Sequence, residues 1–84
     1  MTRTRKSSAQ IRFEILEFLF YNRRPQLRTH LWRKATTLSY DDFLKHLDYL
    51  VERELVEKKG GSYSLTSNGM KVYLSLRDAL PSIM

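Results

Sequence analysis

Residues 55–69 run Leu-Val-Glu-Lys-Lys-Gly-Gly-Ser-Tyr-Ser-Leu-Thr-Ser-Asn-Gly. Two short runs, Leu55 to Lys59 and Ser62 to Leu65, flank Gly60-Gly61, a pair suited to the positive backbone angles of a two-residue turn. The stretch predicts a β-hairpin. Thr66 or Ser67 can then cap a last helix, in which Met70, Tyr73, Leu74, Leu76 and Leu80 are apolar and Pro81 marks the end.

Upstream, Ser39-Tyr40-Asp41-Asp42 has the form of a capping box, with an acid three residues after a serine. A third helix is expected to start there. Phe43, Leu44, Leu47, Leu50 and Val51 fall within about 60° of Leu47 at about 100° per residue, which makes them its buried face. The same wheel turns Asp42, Lys45, Tyr49 and Glu52 outward. A short second helix is expected over roughly 26–34, with Leu27, Leu31 and Ala35 inward and Arg28, Thr29, Trp32 and Arg33 at the outside or rim. Pro25 separates it from a first helix, from Gln10 to about Tyr21 with Ser7 or Ser8 as the cap. That first helix has two apolar stripes: Ile11, Ile15, Phe18 and Leu19 on one side, Phe13, Leu16 and Phe20 on the other. Residues 1–6, with three basic side chains, read as a flexible arm ahead of a single domain over 7–84.

The formal charge of +6 is uneven. Residues 1–34 carry nine Lys or Arg against two acids, and residues 35–84 carry six against seven. A basic front section points to a polyanionic partner. With no cysteine, neither a disulfide framework nor a thiolate metal site is available. No apolar run reaches membrane-spanning length, and a cytoplasmic, nucleoid-associated protein is expected. Enzyme chemistry finds no support. Asp42 and His46 share a helix side at a metal-binding spacing but have no second pair of ligands, and His30 stands alone. No glycine-rich phosphate loop or nucleophile elbow is present, so neither a catalytic residue, a cofactor, a metal nor a small-molecule ligand is expected.

Helix, helix, helix, hairpin, helix is the layout of a winged helix-turn-helix, a mostly α fold whose small hairpin is the wing. From Leu27 onward the chain resembles the small archaeal winged helix-turn-helix transcriptional regulators. The resemblance rests on Leu38-Ser39-Tyr40, Leu47, Leu50, Leu55-Val56, Gly60-Gly61 and the Leu65-Thr66-Ser67-Asn68-Gly69 lead into the last helix. It implies binding to double-stranded DNA, commonly as a dimer.

On that reading Lys45 and Tyr49 meet base edges, while Ser39 and Tyr40 lie near phosphate. Arg28 and Arg33 on the second helix, Lys58 and Lys59 on the wing, and Arg3 and Arg5 on the arm are the expected backbone or minor-groove contacts. The third helix also carries Asp41, Asp42, Asp48 and Glu52. Its first-turn acids suit the helix dipole or a cytosine amino group, but phosphate repels them. Two alternatives follow: a protein-docking module, favoured by those acids, and a non-specific DNA-packing protein, favoured by the basic front. A homodimer is expected through the first and last helices, by way of Phe13, Leu16, Phe20, Tyr73, Leu76, Leu80 and Ile83.

Overall fold

Serine caps start the first and third helices. The Ser7 hydroxyl accepts the Gln10 amide at 3.1 Å, and the Ser39 hydroxyl accepts the Asp42 amide at 3.3 Å. The computed structural model describes the backbone of residues 6–83 and the side chains of residues 6–79. In order the elements are α1 (Ser8–Tyr21), β1 (Gln26–Leu27), α2 (Arg28–Ala35), α3 (Tyr40–Glu52), β2 (Val56–Lys59), β3 (Ser62–Leu65) and α4 (Ser67–Ile83).

The three strands form one antiparallel sheet in the order β1-β3-β2. Lys58 and Gln26 both stand opposite Tyr63, and Lys59 and Leu27 both stand opposite Ser62. Lys59 and Ser62 close a two-residue turn in which Gly60 alone has a left-handed backbone, at φ +62°. Glycine at the first central position is what a type II′ hairpin turn requires.

The core is built from Ile15, Leu16 and Leu19 of α1, Leu31 of α2, Phe43, Leu47 and Leu50 of α3, and Val56, Tyr63 and Tyr73 from the sheet and α4. Complete burial of each large apolar side chain contributes about 1.5–3 kcal/mol. The layout is mostly helical with a small antiparallel sheet, as the sequence implied.

Four expectations need correction. Gln26-Leu27 opens no helix; it forms a strand on the free edge of β3, and Leu27 is 61% exposed rather than part of the α2 stripe. Pairing with Tyr63 and Ser62 holds this backbone extended, and a two-residue strand leaves no periodicity to read. Pro81 does not end α4, which continues to Ile83. Proline forfeits its own amide bond and crowds the carbonyl of the preceding turn, but so near the end of the helix these costs do not stop the last turn. Lys6 is bound to α1, pairing with Glu14 at 2.9 Å.

The fourth concerns the surplus apolar side of α1, for which a second subunit is not needed. Tyr73 of α4 is fully buried between Phe13, with ring centres 5.2 Å apart, and Phe20, at 4.7 Å. Leu16 is 2% exposed. Phe13, Leu16, Phe20 and Tyr73 thus form the α1–α4 seam within one chain, and Leu16 and Tyr73 are inaccessible to a partner. The Tyr73 hydroxyl donates to Glu17 at 3.3 Å, and burial, then hydrogen bonding with Tyr21, pushes its pKa up to about 12. Leu76 stays 43% exposed, while the side chains of Leu80 and Ile83 lie outside the described residues.

Candidate nucleic-acid interface

A turn holds α2 and α3 in their relative orientation, and each residue of Leu38-Ser39-Tyr40 has a part in it. The Leu38 carbonyl accepts the Trp32 indole N–H at 2.7 Å. Ser39 caps α3, and the Tyr40 ring sits edge-on to Trp32 with centres 5.1 Å apart. The indole is therefore satisfied while its ring fills the angle between the helices. Ser39 and Tyr40, expected near phosphate, have these structural duties as well.

Beyond α3, Glu54 takes the left-handed conformation at φ 59°. Its amide donates to the Val51 carbonyl and the Leu55 amide to the Leu50 carbonyl, both at 3.0 Å, which completes a Schellman motif without a glycine. The chain then passes into β2. The Leu-Thr-x-x-Gly segment returns to the same corner: Thr66 donates its hydroxyl to the Glu54 carbonyl at 2.6 Å and accepts the Gly69 amide at 2.9 Å. A Cβ on Gly69 would land on the Leu55 carbonyl oxygen. Here glycine permits close approach of α4 to the base of the wing.

The outermost stripe of α3 consists of Asp41, Lys45, Asp48 and Glu52, all exposed. Lys45 is thus where the sequence put it. Tyr49 is not: it is half-buried on the flank facing α1, with the Arg12 guanidinium 3.6 Å from its ring centre and that of Arg53 4.9 Å away. The wheel placed Tyr49 correctly about the axis of α3, but only the packing of α1 supplies its cover. Arg12 also donates its Nε–H to His46 Nδ1 at 3.3 Å. Burial and then Arg12 lower the His46 pKa, and Asp42 opposes them.

On the other side, Lys58 and Lys59 are exposed along the wing. Arg28, expected to face phosphate, instead ties the wing to α2: its Nε and Nη2 donate to the Tyr63 hydroxyl at 3.2 and 3.0 Å. Tyr40 and then Tyr63 raise its pKa by hydrogen bonding to the charged form. Arg33 and Lys34 are exposed on α2, and α2 begins without a side-chain cap. Arg3 and Arg5 lie outside the described residues.

Arg12 and Arg53 escaped the sequence reading. Arg12 carries no local signal, because Tyr49 lies on a different helix, and for Arg53 the one available signal is its step of four residues from Tyr49. Among the described residues no three His, Asp or Glu gather as a metal site, and no helix is long and apolar enough to cross a membrane.

Two helices joined by a locked turn, a three-stranded wing and a closing helix define the winged helix-turn-helix class. The comparison with known families agrees, since a model described as "Winged helix-turn-helix" matches residues 5–81. The chain belongs to that family, and the family implies DNA as its partner. It is also similar to an uncharacterized protein of the archaeon Methanocaldococcus jannaschii, 30% identical over 74 residues that cover 88% of this chain and 73% of that one.

Proposed function

We propose that this protein is a transcriptional regulator that binds a specific site in double-stranded DNA and acts as a homodimer. The observation that carries the reading is the exposed Lys45 stripe of α3, together with the exposed Lys58 and Lys59 of the wing. An α-helix fits the major groove, where side chains reach base edges, while wing lysines suit the neighbouring phosphates. Arg33 on α2, and Arg3 and Arg5 ahead of α1, add backbone or minor-groove contacts. Arg28, Ser39 and Tyr40 act mainly by setting the angle between α2, α3 and the wing.

The dimer uses the outer side of α4, where Leu76 is exposed and the apolar spacing continues through Leu80 and Ile83. Two such domains place half-sites about 10 base pairs apart in a near-palindrome. Selection from random duplexes followed by footprinting tests the whole reading. Recovery of one palindromic site supports a dimeric regulator. Binding without preference indicates a DNA-packing protein, and no binding indicates a docking module. Sedimentation tests the interface separately: a 10.0 kDa species at micromolar concentration, unchanged by Leu76→Glu, overturns the dimer.

A further inference from the structure

Two cations converge on one aromatic ring, and among the described residues no acid pairs with either. Arg12 comes from α1 and Arg53 from the end of α3, and both guanidinium carbons lie over Tyr49. Among the described residues the sole ion pair is Lys6 with Glu14, so neither arginine has a carboxylate within 4.0 Å. Arg12 spends its Nε–H on His46, and among the described residues neither its two terminal nitrogens nor the Arg53 side chain has a protein acceptor. Like charges held this close repel. Stacking on the ring quadrupole offsets part of that cost and orients each planar group, but its in-plane N–H edges remain open.

An oriented guanidinium edge suits a bidentate phosphate oxygen pair. The location is equally informative. Tyr49 and His46 form the flank of α3 that faces α1, beside the exposed stripe that carries Lys45. A helix lying in the major groove, about 12 Å wide, has a phosphate backbone along each side.

We infer that Arg12 and Arg53, stacked on Tyr49, form a phosphodiester-binding site for the DNA strand that borders α3 on the side away from the wing. The inference rests on the DNA-binding reading above and adds a second backbone track to it. The track also accounts for the acids of α3. Asp41, Asp48 and Glu52 lie on the stripe directed to the groove floor, with cations at the wall, so base edges rather than phosphates meet the acids.

Duplex binding measured across salt concentrations separates the site from the wider reading. Each lost phosphate contact lowers the slope of log affinity against log salt by about one. Arg12→Gln and Arg53→Gln should each do so; each variant then loses about 3.5-fold less affinity than the parent between 50 and 200 mM salt. The double variant should lose about 12-fold less. Arg12→Lys keeps the charge and should keep the slope, while Lys71→Gln on α4 should leave slope and affinity as they are. Thermal melts of every variant identify any that fail to fold, and Arg53→Gln, at an exposed position, keeps the test available if Arg12→Gln unfolds. The inference is overturned if both glutamine variants keep the parental slope while Lys58→Gln and Lys59→Gln reduce it, or if Lys71→Gln flattens the slope equally. Absence of duplex binding by the parent protein overturns the DNA-binding reading, and this site with it.

Discussion

Replacing Gly69 with alanine should destabilise the protein, although the position is helical. Helix propensity alone favours alanine over glycine by about 1 kcal/mol. At Gly69 the new methyl group would overlap the Leu55 carbonyl oxygen and stand 2.9 Å from both the Leu55 carbonyl carbon and Leu65 Cδ1. The carbonyl cannot retreat freely, because it accepts the Thr66 amide at 3.1 Å, and Thr66 is tied to Glu54 and Gly69 as well. Overpacking costs about 1–3 kcal/mol. Weakening two of those hydrogen bonds costs roughly 1 kcal/mol each. With the propensity gain subtracted, a net loss of about 2–4 kcal/mol remains, or on the order of 10–30 °C in Tm for a domain of this size. Urea and thermal unfolding followed by circular dichroism measure it. Gly61→Ala is the control, since its added Cβ meets nothing within 4 Å and its backbone is not left-handed. It should change stability by less than about 1 kcal/mol. A Gly69→Ala protein that melts at or above the parental temperature would refute the close-approach argument.

Three further outcomes are expected. Glu54→Gly should raise stability by about 0.5–1 kcal/mol in urea titrations, because φ 59° strains a side-chain-bearing residue, and no gain would mean that the Schellman corner carries no strain. Lys45→Ala should relax preference at one base position and cost about 1–3 kcal/mol on the selected site; equal weakening on every duplex would move Lys45 to the phosphate contacts. The lowered pKa of His46 means that the unfolded chain takes up its proton first as pH falls. The stability this group contributes is complete above its ordinary pKa near 6.5 and is lost as pH drops through the folded value, so urea midpoints should fall from pH 7.5 to 5.5. His46→Gln should flatten that decline, and parallel curves for the two proteins would exclude His46 as its source.

The order of the helices, the two-residue hairpin and the serine caps are legible along the chain, since each depends on neighbours a few residues apart. Lys45 belongs with these, because a wheel suffices to place an outward residue on an amphipathic helix. Gly69 was legible as part of a motif, but its reason was not: the Leu55 carbonyl it admits is brought there by the wing. The rest depends on contacts between elements distant in the chain. The backbone of Gln26-Leu27 becomes a strand because β3 offers an open edge. Tyr73, apolar and periodic enough to suggest a dimer seam, fills its own chain's gap between Phe13 and Phe20. Arg28 turns from a free cation into a wing brace because Tyr63 lies within hydrogen-bonding reach, 35 residues along the chain. Arg12 meets Tyr49 only when α1 crosses α3. Local propensity and periodicity report which side of an element faces inward, whereas the partner that covers or leaves that side is set by long-range packing.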